Sequence, residues 1–268
     1  MINYIISMSY IILMSFLPGL LYLFLTFLTT PYKSWNFGRS MMYFLAGSIS
    51  APVILLLLTL FPSINSLHLF PESTMVKMLM LSFIQVALLE EGSKYALYKI
   101  FRNSIKPKLN QHPLAIMIYA GSVSLGFAFT ENILYGFRVG IEVLYWRAMT
   151  SVIMHMACGM MMGYWISLSI HKFKLKTNPT NDTMGVSIMD VILKKKPSFR
   201  RVFYTIMGIL MAVFFHGLYD FNIFGVYNFD HSYVEEHLSM SIQIIIIFFS
   251  LYLVKEMANH LVKLNIKK

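Results

Sequence analysis

Leu88-Leu89-Glu90-Glu91-Gly92-Ser93-Lys94-Tyr95 decides how this chain is read. Two adjacent carboxylates and a lysine stand in a run that is otherwise apolar enough to cross a bilayer. A charged side chain at mid-membrane costs about 2.5–3.5 kcal/mol on insertion scales. Three such groups so close together are not there for packing. The other segments are therefore read by asking which of them bring polar groups to meet these.

The composition supports the membrane setting. Of 268 residues, 57% are hydrophobic and 13% charged, against about 25% charged in a soluble domain, and the mean hydropathy is +0.64. The net charge of +10 fits basic cytoplasmic loops better than a nucleic-acid partner. A single cysteine, Cys158, excludes an intrachain disulfide and a thiolate metal cluster.

Hydropathy divides the chain into seven spans, about 4–28, 41–61, 75–98, 114–136, 148–170, 202–226 and 238–258. The expected fold is an all-α polytopic bundle of about seven transmembrane helices. It forms one integral-membrane domain over 1–268, with a polar-residue core at about 75–226. The first run lacks a basic leader and a small-residue cleavage site, and reads as a retained helix. Pro18-Gly19 is expected to kink it. Pro52, near the middle of the second span, needs a neighbouring helix to satisfy the carbonyl it frees. Arg138 to Arg147 read as a link between spans four and five. Residues 171–201 form a basic loop. With the N-terminus outside, the inner loops and C-terminal tail hold eighteen Lys and Arg and the outer loops three, namely Lys77, Arg138 and Arg147. The positive-inside bias therefore places the C-terminus and the 171–201 loop in the cytoplasm. The expected location is a plasma membrane, with the lipid bilayer as a partner and no nucleic acid.

Four spans carry ionisable groups in their apolar interiors. In the third, Lys94 lies i+4 from Glu90 and i+3 from Glu91 and can reach either on a helix. One ion pair leaves one carboxylate over. The fourth has Glu131 and Asn132. The fifth has His155, with Gly159 and Gly163 on the same face. The sixth has His216 and Asp220 at i, i+4, a spacing that suits two ligands of one metal or a carboxylate that orients a histidine. Taken singly, each has a plain structural reading: a buried ion pair, a protonated acid on a carbonyl, an interhelical hydrogen bond. Taken together, carboxylates and two histidines in one hydrocarbon bundle make a water-activating or metal-binding set. No serine–lysine pair at nucleophile spacing and no pair of intramembrane aspartates is present. The available chemistry is hydrolysis by an activated water.

These residues resemble a family. Glu90-Glu91-Gly92-Ser93-Lys94 is similar to the EExxK motif of the PrsW family of intramembrane proteases. Phe127 to Glu131-Asn132 resembles its FxxxEN motif, His155 to Gly159 its HxxxG position, and His216-Gly217-Leu218-Tyr219-Asp220 its HxxxD motif. The four occur in family order on four spans, over about 86–220. The related CAAX prenyl protease and bacteriocin-processing family has EExxxR, FxxxH and HxxxN patterns, from which Lys94 and Glu131 depart.

The resemblance implies an all-helical endopeptidase of a bacterial plasma membrane that cuts membrane-bound protein substrates; for named family members this includes site-1 cleavage of an anti-sigma factor. It implies Glu90 as general base, with Glu91 supporting it or exchanging roles, and Lys94 holding the second carboxylate. Glu131, His155, His216 and Asp220 would position the water, stabilise the oxyanion or bind a metal, which for a metalloprotease is zinc. Asn132 belongs to the same site. A metal-free glutamate protease stays open, since no HExxH helix is present. Two other classes use the same residue types: a proton- or ion-coupled transporter, and a scaffold whose polar groups only join helices.

Overall fold

The computed structural model describes residues 2–30, 36–60, 74–105, 112–171, 197–228 and 233–263. The described residues are helical throughout apart from short turns, as expected of an all-α membrane protein. The helices are α1 (Ile2–Thr29), α2 (Phe37–Gly47), α3 (Ser50–Leu60), α4 (Thr74–Met80), α5 (Leu89–Ile105), α6 (Pro113–Arg138), α7 (Glu142–Met149), α8 (Ser151–Ile170), α9 (Pro197–Asn228) and α10 (Tyr233–Lys263). A π-helical segment, Leu81–Leu88, joins α4 to α5. Most of the basic loop, 172–196, lies outside the described residues, and with it Asn181-Asp182-Thr183, a glycosylation sequon by pattern that a cytoplasmic loop would leave idle.

Six of these stretches are long and apolar enough to cross a membrane, so the protein is multi-pass. They match the expected spans one, two, four, five, six and seven. The remaining stretch, Thr74–Ile105, is a continuous helix whose charged groups set it apart.

The bundle is built around α6, which is buried from Pro113 to Ala128. Its start follows from sequence: Pro113 sits in the first turn, where its missing N–H costs nothing, and His112 Nδ1 accepts the Leu114 N–H at 3.2 Å. Small residues let α8 and α2 pack close to it. A Cβ on Gly163 would lie 2.7 Å from Met117 Cα. A Cβ on Gly126 would overlap the Phe44 carbonyl, and one on Gly47 the Val123 carbonyl. Such stripes are how helices associate where lipid removes the hydrophobic drive between them. By contrast, α1 and α10 expose Leu13, Leu17, Leu21, Phe24, Ile245 and Phe248 to the lipid.

Three details differ from the sequence expectation. The second span is two helices, broken at Ser48-Ile49, which places Pro52 in the first turn of α3. The carbonyl Pro52 leaves free is that of Ser48, and Thr130 Oγ1 of α6 donates to it at 2.8 Å. The link after the fourth span is mostly α7, and Arg147 on it is buried against α6 and is no loop charge. The third span runs through a π-helical segment just before Glu90, a distortion frequent next to functional sites.

Candidate active site

All eight residues singled out from the sequence come together, from the first turns of α5, the last third of α6, the first turns of α8 and the later half of α9. Glu91 is fully buried, and its Oε1 accepts from Lys94 Nζ at 2.7 Å and from His216 Nδ1 at 2.8 Å. Lys94 Nζ also donates to His155 Nδ1 at 3.1 Å, lies 3.5 Å from Glu90 Oε2, and sits 3.9 Å from the centre of the Phe127 ring. A lysine buried to 1% exposure is thus held by two carboxylates, an imidazole and an aromatic face.

These contacts fix both histidines. An ammonium only donates, so His155 Nδ1 is an acceptor and the ring proton is on Nε2, which donates to Glu131 Oε2 at 2.8 Å. His216 uses Nδ1–H for Glu91, which turns Nε2 toward Asp220 Oδ2 at 3.2 Å and Glu90 Oε2 at 3.7 Å. The His155 and His216 rings meet edge to face with centroids 4.8 Å apart.

Sequence reasoning missed Arg147. Its Nη2 donates to Glu131 Oε2 at 2.6 Å and its Nε to Asn132 Oδ1 at 2.6 Å. The signal was weak: an arginine at the end of a polar link reads as an interface charge. The residues between the motif positions also have structural work. Gly217 lets the Phe83 ring of the π-helical segment pack on α9, where a Cβ would come within 2.6 Å of it. The Tyr219 hydroxyl donates to Thr150 Oγ1 at 3.0 Å, tying α9 to the start of α8. Gly159 packs on Ala120 and Ser124 of α6.

The donor set fits a divalent metal. One donor atom each from Glu90, His155 and His216 lie within 4.8 Å of one another. Glu90 Oε2 and Asp220 Oδ2 are buried without a hydrogen-bond partner, and both face His216 Nε2. Two carboxylate oxygens converging on one imidazole nitrogen call for a cation or a proton between them. Charge agrees: four carboxylates (Glu90, Glu91, Glu131, Asp220) meet two fixed cations, Lys94 and Arg147, so a divalent ion would neutralise the cluster. This set differs from the sequence expectation of Glu131, His155, His216 and Asp220. Glu90 joins the histidines, while Glu131 Oε2 is taken up by Arg147 and His155. His155 has partners on both ring nitrogens, so it would exchange one of them to serve as a ligand.

The fold and the site together define a polytopic membrane protein with a buried carboxylate–histidine centre that can hold a metal. The model of the PrsW family intramembrane metalloproteases matches residues 38–254, and the chain belongs to that family. It is similar to proteins named Protease PrsW from Oceanobacillus iheyensis (33% identical over 55% of this chain and 56% of the relative) and Clostridioides difficile (28% over 67% and 64%). A third, from Bacillus subtilis, is 38% identical over 32% of this chain and 38% of the relative. The chain therefore matches between about a third and two thirds of the length of these relatives. No solved structure matches it.

Proposed function

We propose that this chain is an intramembrane endopeptidase that hydrolyses a peptide bond of a membrane-bound protein with an activated water. One observation carries the reading: oxygens of Glu90 and Asp220 that make no hydrogen bond converge on His216 Nε2 inside a membrane bundle. A scaffold needs its polar groups hydrogen-bonded, and these two oxygens have only ion-pair contacts with Lys94 and His216.

The two adjacent glutamates divide the work. Glu91 is engaged twice through one oxygen, so it orients His216 and anchors Lys94. Glu90 makes no hydrogen bond through Oε2, and its side chain is 13% exposed where that of Glu91 is fully buried, so it is the carboxylate nearer to water. In a metal-free reaction Glu90 takes the proton from the attacking water. With a metal, which we propose is zinc, Glu90, His155 and His216 would hold it, and Asp220 Oδ2 is the carboxylate oxygen left to accept that proton. When bound, the metal supplies a lowered water pKa and polarisation of the scissile carbonyl. Glu131 and Asn132, fixed by Arg147, line the other side and bring Glu131 against His155.

We further propose that Thr74–Ile105 also crosses the bilayer, giving seven crossings of a bacterial plasma membrane with the C-terminus and the 172–196 loop inside. Counting Arg147 as part of the site sharpens the charge asymmetry that supports this. An anti-sigma factor with a single span is the substrate class we propose. The test is co-reconstitution of the full chain with tagged single-span anti-sigma factors, with Glu90→Gln as control. A tagged fragment made by wild type and missing with Glu90→Gln is expected. Fragments at equal rate from both, or none from any substrate alongside proton flux into the liposomes, would remove the reading, the latter in favour of a transporter.

A further inference from the structure

Arg147 lies in none of the four motifs, yet it makes two of the shortest polar contacts of the centre. Its guanidinium reaches Glu131 and Asn132 and lies 4.0 Å from the centre of the Tyr135 ring, so it grips a single turn of α6. A planar fork can hold two acceptors in fixed directions; a lysine would hold one. The helix that carries it is pinned by α1 and by the motif helix α9. The Tyr22 hydroxyl of α1 donates to the Ala148 carbonyl at 2.9 Å. The Tyr10 and Tyr145 hydroxyls meet at 2.9 Å. Thr150 Oγ1 donates to the Trp146 carbonyl at 2.8 Å and accepts from Tyr219 of α9. Arg147 is thus delivered by a short helix that α1 and α9 lock in place.

We propose that Arg147 is a positioning residue: it aims the Glu131 carboxylate at His155 Nε2 and so sets which ring edge faces Lys94, since a flipped ring would offer Nε2 to the ammonium and carry its proton on Nδ1. The inference deepens the hydrolytic reading and rests on it for its purpose. A merely structural ion pair would require charge balance only. The grip on Asn132 and the sharing of Glu131 Oε2 between Arg147 and His155 fix a direction as well.

The test observes His155 itself, in full-length protein labelled with 15N-histidine in lipid nanodiscs. The chain has eight histidines, and the His155 signals are those lost in His155→Gln. Wild type freed of metal with a chelator, like each variant below, should show one neutral form, protonated at Nε2. Arg147→Gln should lose that single form to a mixture of tautomers, and Arg147→Lys, which keeps the charge but not the fork, should recover only part of it. If Arg147→Gln does not fold, the Arg147→Gln/Glu131→Gln pair, which removes both charges of the buried ion pair, takes its place with the same expected mixture. Wild-type His155 signals in folded Arg147→Gln, or in the pair, would overturn the proposal, as would a wild-type ring not protonated at Nε2. Absence of proteolysis would sink the hydrolytic reading without touching these spectra, and unchanged spectra would sink this inference without touching proteolysis.

Discussion

Glu91 of α5 and His216 of α9 stand 125 residues apart in the chain and meet at 2.8 Å. Because the same Glu91 oxygen also takes Lys94, this carboxylate is committed to holding the site together. Its neighbour Glu90, one residue away, is not. Two identical side chains in sequence therefore have different tasks, set by which helix face each one occupies.

Their substitutions should separate accordingly. Glu90→Gln should abolish proteolysis and leave the thermal midpoint in detergent nearly unchanged. Glu91→Gln removes one member of a buried ion pair and should cost stability, about 3–5 kcal/mol by the usual effect of stranding a buried charge. Thermal unfolding and cleavage measured on the same preparations check both. Equal loss of stability in the two would mean that the division between them is wrong.

Metal binding offers a second separation. The purified chain should take up one zinc or cobalt ion, and His216→Gln should lose it. Glu91→Gln should retain the ion with about 10–100-fold weaker affinity, the usual effect of removing a carboxylate that orients a ligating histidine. Titration with cobalt, followed by its visible absorption, measures all three. Unchanged affinity in His216→Gln would place the ion elsewhere.

Thr130→Val should strand the Ser48 carbonyl, at about 1–3 kcal/mol for an unsatisfied buried acceptor. Pro52→Ala restores a backbone N–H that can take over that carbonyl. The loss caused by Thr130→Val should therefore shrink when alanine stands at 52, which a double-mutant cycle on thermal stability reads directly. An undiminished loss would mean that Thr130 acts through some other contact.

Outside the membrane, His112 makes stability depend on pH. Its pKa is lowered, first by burial and then by His171. The unfolded chain therefore binds the proton more readily, and stability falls as pH drops below the ordinary histidine value of about 6.5. The direction agrees with its role, since a protonated Nδ1 can no longer accept the Leu114 N–H. Thermal midpoints from pH 7.5 to 5.5 should fall less in His112→Asn, which caps the helix without titrating. Parallel curves for the two proteins would dismiss the effect.

Much of the centre was legible because charge inside hydrocarbon is expensive. Glu90, Glu91, Lys94, Glu131, His155, His216 and Asp220 were conspicuous against apolar neighbours, and i, i+3 and i, i+4 spacing paired Lys94 with Glu91 and His216 with Asp220. The Gly159–Gly163 stripe was equally plain, because only close helix packing asks for it. What stayed hidden depends on tertiary placement. Arg147 looked like an interface charge because nothing local shows that α7 folds back on α6. The π-helical segment leaves apolar periodicity almost intact. The break at Ser48 comes four residues before the proline that requires it, at a position that a hydropathy window averages away. Glu90 in place of Glu131 joins the histidines in the candidate metal set, because the competing cation, Arg147, was not in view.

The separation between Glu91 and His216 also bears on how the protein is made. Helices enter the bilayer in order of synthesis, and the helix with Glu90, Glu91 and Lys94 emerges long before α9. Until then Glu91 has Lys94 beside it but no imidazole, and Glu131 waits for α7 and α8. The least apolar helix of the bundle is therefore among the early arrivals, while part of what holds its charges comes late. A nascent chain truncated before His216 should keep this helix loosely inserted, exposed to the insertion machinery and to membrane quality control. If Thr74–Ile105 crosses the bilayer as proposed, assembling the charged centre and settling this helix in the membrane would go together.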